Sequence, residues 1–454
     1  MPAADVAWML AALALVIIMF PGIALFYGGM VGSKNALNMI MMTMSTLATV
    51  TVLYVLFGHG LVVGDSVGGW GLIGNPDGYL GFLGIYEDPG EAQLVDPYWF
   101  AFYILFAAIT VAIVASGAVG RMKFGGWLVF SAVWATLVYF PLGHWVFAFD
   151  GEDTQGGWMR NDLGLHDYAG GTAVHMSAGL GALALAMVLG PRKNMGSRPH
   201  NLPLVLLGAG LLWMGWFGFN GGTAAGANFL AQYAVMTTLI AGATGMIGFC
   251  LVEKIRDGAP TTLGMASGII AGLVGITPSA DAVDALGAIV VGVASGAFVA
   301  WACTWKAKLG VDESLDAFAV HGMGGIVGSL CVVLIGYSGS PAGIKGVLFG
   351  GSWDIAWREV VAIGATCGYA FVMTWIIAKV LDKTMGLRVD EEKEFAGLDL
   401  AEHSESAYDI ERSGGSLGEA RADRLSGAPS AERIAALAAR TEAEESRAAA
   451  SDPA

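Results

Sequence analysis

The sequence predicts an all-α integral membrane protein, on three observations. Of its 454 residues, 55% are hydrophobic and only 13% charged, about half the charged share of a soluble domain, and its mean hydropathy is +0.63. The apolar residues gather into runs of helix length, punctuated by Gly, Pro and charge. Two histidines, His175 and His321, lie inside such runs, each within the tripeptide Ala-Val-His.

Runs long enough to cross a bilayer fall at 6–27, 37–62, 98–119, 125–148, 168–190, 201–221, 231–252, 262–280, 283–304, 315–337 and 360–380. Eleven spans put the termini on opposite sides. Lys and Arg decide which, because cytoplasmic loops hold the excess. Loops after odd spans carry Lys34, Arg121, Lys123, Arg192, Lys193, Arg198, Lys254, Arg256, Lys306, Lys308, Lys383 and Arg388. Loops after even spans carry Arg160, Lys345 and Arg358, and collect Asp65, Asp77, Glu87, Asp88, Glu91, Asp96, Glu152 and Asp153 instead. The chain is therefore expected in the inner (plasma) membrane, N-terminus outside and C-terminus in the cytoplasm. Met1–Asp5 has no basic leader region, so the first run reads as a span.

The net charge of −15 comes largely from the C-terminal tail and from 65–96, so it carries no message about nucleic acid, which is not expected as a partner. The four cysteines all lie in apolar runs without metal-ligand spacing and read as small buried hydrophobes. No cofactor is called for. Small-xxx-small spacing, as in Ser177…Gly181 and Gly324…Gly328, lets helix backbones pack closely in lipid. Three regions follow: a membrane domain over 1–385, a charged cytoplasmic segment over 386–412, and a tail over 413–454. That tail is either disordered or, for 429–450, a marginal helix.

The histidines fall in the fifth and tenth spans. Five spans followed by five make an inverted repeat, since an odd number per half flips the second half. PGIALFYGG in span one echoes WFGFNGGT in span six, and span eleven remains as an outer brace. An ionisable group in lipid is costly unless it faces a bundle interior, which makes the histidines site candidates. Two neutral imidazoles can satisfy each other with one shared hydrogen bond. The plain alternative is a pair of packing histidines bonded to nearby hydroxyls.

Asp167, at the outer end of span five, could bind a cation or cap the helix start. Asp316 is read as its cytoplasmic counterpart, with a structural role. Phe106, Phe147, Trp216 and Phe219 lie in specific motifs; an aromatic face attracts a desolvated cation by about 1–2 kcal/mol, and Thr223 adds a hydroxyl acceptor. Together these would make a weak, reversible cation site.

The motifs DYAGGTAVH (167–175), GWFGFNGGT (215–223), DAFAVHGMGGIVG (316–328), FYGGMVGSKNALNMI (26–40) and GLRVDEEKEFAGLDLAEHSESAY (386–408) resemble the ammonium transporter family, Amt/MEP/Rh, on its bacterial Amt branch. The resemblance implies an eleven-helix pore with a five-plus-five inverted repeat, assembled as a homotrimer. It implies that His175 and His321 are the twin histidines of the pore, Asp167 the support of the outer ammonium site, and Phe106 and Phe219 the stacked gate beside Trp216. At the recruitment position Phe147 stands where the family has tryptophan, and Thr223 where serine is common. Phenylalanine is the weaker cation–π partner, so recruitment is expected to be poorer unless Trp145 or Trp158 substitutes. The resemblance also implies that 386–408 packs under neighbouring subunits and docks a trimeric PII-type nitrogen-regulatory protein.

Ammonium cannot cross a dry pore as an ion, because desolvation costs tens of kcal/mol by the Born estimate. Deprotonation at neutral pH costs roughly 3 kcal/mol, at about 1.36 per pKa unit. The expected mechanism is capture of the cation, loss of its proton near the phenylalanine gate, and passage of ammonia along the histidines, with net charge movement favoured by the resemblance. A sensor would need an output module after span eleven, and 409–454 shows none. A neutral gas channel would not need Trp216, Phe219 and Thr223. An enzyme would need a nucleophile–base pair or a metal cluster, and no such spacing occurs.

Overall fold

Apolar side chains pointing in every direction make helices that suit lipid on one side and a packed bundle on the other. The computed structural model describes residues 2–77, 79–82, 97–193 and 198–408. Its helices are α1 (Ala3–Met30), α2 (Ser33–Val63), α3 (Pro97–Ala118), α4 (Phe124–Phe147), α5 (Gly171–Leu189), α6 (Leu202–Gly222), α7 (Phe229–Asp257), α8 (Thr262–Ile276), α9 (Ala285–Leu309), α10 (Phe318–Ile335) and α11 (Asp354–Met385). Ten of these are long and apolar enough to cross a membrane, whereas α8 has 15 residues, about 22 Å at 1.5 Å per residue. Isolated β-bridges at Ser66–Gly74 and Met122–Arg388 are the only strand-like pairings among the described residues.

Three helices are shorter than expected by three residues or more at one end. α8 stops at Ile276 instead of 280 because Pro278 lacks the N–H that would continue the ladder. α5 begins at Gly171 instead of 168, since Gly170 takes the left-handed conformation at φ 103. α10 begins at Phe318 instead of 315, since Asp316 sits at φ 60. At the other extreme, α7 and α11 overrun their apolar stretches and carry charge on their last turns.

The core lies where the two histidine helices meet. α5 and α10 cross at Gly179 and Gly322, where any side chain on Gly179 would collide with the Gly322 backbone. α1 packs along α6, and α11 lies along α5.

On the face that holds the C-terminal segment, two short helices follow, α12 (Glu391–Ala396) and α13 (Leu398–His403). They tie together the ends of three membrane helices. The Asp399 carboxylate accepts the N–H groups of Leu37 (3.1 Å) and Asn38 (2.8 Å) at the start of α2. Glu402 accepts the N–H of Phe124 (3.1 Å) at the start of α4. Arg388 donates to the carbonyls of Leu189 and Pro191, both at 2.8 Å, at the end of α5. Beneath them Arg121 is wholly buried; desolvation pulls its guanidinium down to about 10, against the pull of Asp312.

Residues 409–412 of the segment expected in the cytoplasm, the tail 413–454, and the acidic residues Glu87, Asp88, Glu91 and Asp96 lie outside the described residues.

Candidate functional site

The site begins at the cap of α5, on the face opposite the C-terminal segment. Asp167 is 2% exposed, and both its oxygens are engaged. One accepts the N–H groups of Gly170 (2.8 Å) and Gly171 (2.7 Å), and the other accepts the N–H (2.8 Å) and hydroxyl of Thr172. Four donors on one carboxylate make a complete helix cap. That is the second of the two roles the sequence offered for Asp167, and it leaves neither oxygen without a donor.

His175 follows inside a widened π turn, Gly171–Met176, and His321 inside another, Phe318–Met323. Such single π turns are rare and gather at functional positions. The turns bring the two imidazoles together, Nδ1 to Nδ1 at 3.3 Å, with ring centroids 5.4 Å apart and planes at 28°. Both are buried. Since one Nδ1 must donate and the other accept, the pair shares one hydrogen bond as expected.

Above His175 the aromatics are layered. Trp216 stacks on it at 5.3 Å and 21°, and Phe219 lies 6.1 Å away. Phe219 and Phe106 are parallel, 3.8 Å apart with planes at 1°. Phe147 meets Phe106 edge-on at 6.2 Å, and Tyr103 borders Phe147 at 6.2 Å. A narrow cavity lies on the histidine side of the stack, lined by His175, His321, Trp216, Phe219 and aliphatic side chains such as Ile109 and Leu212.

Trp216 is 1% exposed and its indole N–H is held by Thr277 at 2.9 Å. It therefore belongs to the wall of that cavity, beside His175 and below the phenylalanine stack. Thr223 donates its hydroxyl to the Phe219 carbonyl at 2.9 Å and is half-buried, leaving its oxygen lone pairs as acceptors.

Trp145 and Trp158 have packing partners other than Phe147. They pack on each other at 5.7 Å, and Trp145 packs on Tyr369 of α11 at 4.8 Å. The Trp145 indole N–H goes to the Leu72 carbonyl at 2.8 Å. The loop 148–166 is instead knitted to the preceding loop on the same face: Ser66 N–H donates to the Gln155 carbonyl (2.9 Å) and Trp158 N–H to the Gly71 carbonyl (3.1 Å).

At the other end the expected pairing of Asp316 with Asp167 needs correction. Asp167 stands eight residues before His175, and the residue eight before His321 is Glu313. Glu313 performs the equivalent bond, accepting the Phe318 N–H at 3.2 Å as Asp167 accepts that of Thr172, five residues on in each case. It also takes the Ser116 hydroxyl. Asp316, left-handed and off the helix, pairs with Lys306 at 2.6 Å. Equal spacing from the histidine was the available signal; the exchange of Asp for Glu and the nearer DAFAVH motif concealed it.

Comparison with known proteins gives a consistent result. A model of the Ammonium Transporter Family matches residues 7–408. An ammonium transporter of Corynebacterium glutamicum is 57% identical over 416 residues, covering 91% of each chain. One from Bacillus subtilis is 42% identical over 409 residues, covering 89% of this chain and 98% of its own. Among solved structures, a Sensor Amt Protein superposes with a TM-score of 0.79 at 27% identity over 87% of this chain and 97% of its own. Saccharomyces cerevisiae Mep2 gives 0.77 at 32% identity, over 86% and 88%.

Proposed function

The chain belongs to the ammonium transporter family, and from that premise we propose that it takes up ammonium as the cation and conducts it as ammonia between His175 and His321. The carrying observation is the facing histidine pair, Nδ1 to Nδ1 at 3.3 Å, beneath the closed Phe106–Phe219 stack. An ion would lose its water at that stack, whereas a neutral molecule that both donates and accepts a hydrogen bond finds partners on the imidazoles.

Phe147 with Phe106 forms the cation-attracting approach, and Thr223 supplies its oxygen there. The stack of Phe106 on Phe219 is the gate at which the proton is shed; Trp216 walls the pore. Asp167 contributes by capping α5 and by its negative charge behind the approach. Potassium is rejected because it has no proton to give up. The proposed reading includes net charge movement, eleven spans with α8 as the eighth, a five-plus-five inverted repeat, and a plasma-membrane location with the N-terminus outside.

The same reading assigns 1–385 to transport, 386–412 to regulation and 413–454 to a tail. It takes the assembly as a homotrimer whose cytoplasmic face docks a PII-type protein. Support for the regulatory role comes from the grip of Arg388 on the end of α5, the helix that carries His175.

The test is current from reconstituted protein on a supported membrane during ammonium and potassium pulses. Ammonium-evoked current without a potassium response is expected. A potassium response of equal size, or ammonium binding without current, would remove the reading.

A further inference from the structure

One buried carboxyl has no part in the pathway above. Glu359 lies on α11, the helix the sequence reads as an outer brace, yet it points inward and is wholly buried. Its Oε1 accepts the backbone N–H of His166 at 3.0 Å, and its Oε2 has no hydrogen-bond partner. His166 immediately precedes Asp167 in the chain. The His166 ring is turned away to Asp281, Nε2 to Oδ1 at 2.9 Å, and Arg358, the neighbour of Glu359, is paired with Asp354 at 2.6 Å. The arginine next to Glu359 and the imidazole of His166 are thus each matched with another carboxylate, while the carboxyl of Glu359 is used on a peptide group.

A lipid-side brace has no need of an inward carboxyl, and an unpaired buried oxygen burdens the fold. What Glu359 does hold is the peptide that leads into the α5 cap. From His166 onward the turn is held at several points: Tyr168 N–H to the Pro278 carbonyl (3.3 Å), then three consecutive N–H groups, of Gly170, Gly171 and Thr172, to Asp167. Without the bond at His166 that turn loses its only tie to α11 among the described residues, and keeps its ties to Asp167, to Pro278 and Asp281 after α8, and to Asn220 of α6.

We propose that Glu359 is a positioning residue for transport: by gripping the His166 peptide from α11 it fixes where Asp167 holds the start of α5, and so where His175 faces His321. This rests on the transport reading above. Misplacing a site by about 1 Å is enough to cost a hundredfold in favourable cases, and supporting contacts outside a site commonly set such precision.

The test uses the full-length protein in liposomes, with ammonium-evoked current measured over a concentration range for wild type, Glu359→Met and Glu359→Gln. Methionine keeps the volume and removes the acceptor; it leaves the His166 N–H without that partner but also removes a buried, unpaired oxygen, and the two opposing changes should keep its melting temperature within a few degrees of the wild type. Its maximal current is expected to fall about tenfold, with the half-saturating concentration unchanged within about twofold, because the aromatic approach is untouched. Glutamine keeps the carbonyl that accepts the His166 N–H and should restore at least about half the current. Normal current in Glu359→Met would overturn the proposal, as would a Glu359→Gln variant as poor as the methionine one. A current that falls only in step with melting temperature would also overturn it. A silent wild type would instead remove the transport reading itself.

Discussion

The two histidine helices start from carboxylates at matching positions, and the two starts are built differently. Asp167 gives both oxygens to three backbone N–H groups and the Thr172 hydroxyl. Glu313 takes one backbone N–H and the Ser116 hydroxyl, beside an Asp316–Lys306 pair. At the Asp167 end aromatic rings fill the way to the histidine; at the Glu313 end charge gathers. Burial pushes the Glu313 and Asp316 carboxyls above the usual range; the Asp316 charge raises Glu313 further, while Lys306 pulls both down. A repeated helix start thus takes two forms: one capped beneath packed aromatic rings, the other set among ionisable side chains.

That contrast can be broken in four ways. The largest effect is expected where the ends meet. The double variant His175→Ala with His321→Ala removes the partners of a passing N–H, a loss of about 2 kcal/mol, so ammonium current should fall about thirtyfold or lose its discrimination against potassium. Retained current with potassium excluded would end the pore assignment. Next, Asp167→Ala should cost about 2 kcal/mol or more of stability and Glu313→Ala about 1, following the number of donors left without an acceptor. Melting curves of the two purified variants decide it, and equal losses would erase the distinction between the ends.

Third, the exit side can be cut. A chain stopped after Met385 loses the Arg388 contacts to α5 and should carry about fivefold less current, within the usual range of coupling between sites. It should also fail to retain a PII-type protein in a pull-down, whereas a chain stopped after Ser413 should behave as wild type in both assays. Last, the entry can be sharpened. Phe147→Trp adds a stronger π face, worth about 0.5–1 kcal/mol, and should lower the half-saturating ammonium concentration about two- to fivefold in concentration–current curves.

The helical membrane build and the family were legible from hydropathy and from motifs as long as DYAGGTAVH. Helix starts were less so. Hydropathy cannot see that Gly170 and Asp316 turn left-handed, because it averages over a window and carries no backbone angle. The short α8 was hidden for the same reason: Thr277 to Ala280 stay buried after the helix has ended. Side-chain direction was the least legible. Trp145 and Phe147 are two residues apart on a helix, which places them on different faces, so a tryptophan adjacent in sequence reaches Tyr369 and not the approach. Glu359 could not be singled out from a charged helix end without knowing that it meets His166.

The π turns around His175 and His321 carry one further consequence. A π turn holds a residue more than an α-helical turn would, and an α-helix advances about 100° per residue. Deleting one residue from Gly171–Met176 or Phe318–Met323 lets the helix rewind by that angle, so cap and imidazole can no longer both keep their partners, although every functional side chain is still encoded. Many single substitutions in these turns would leave the backbone count intact. Loss of a codon would not.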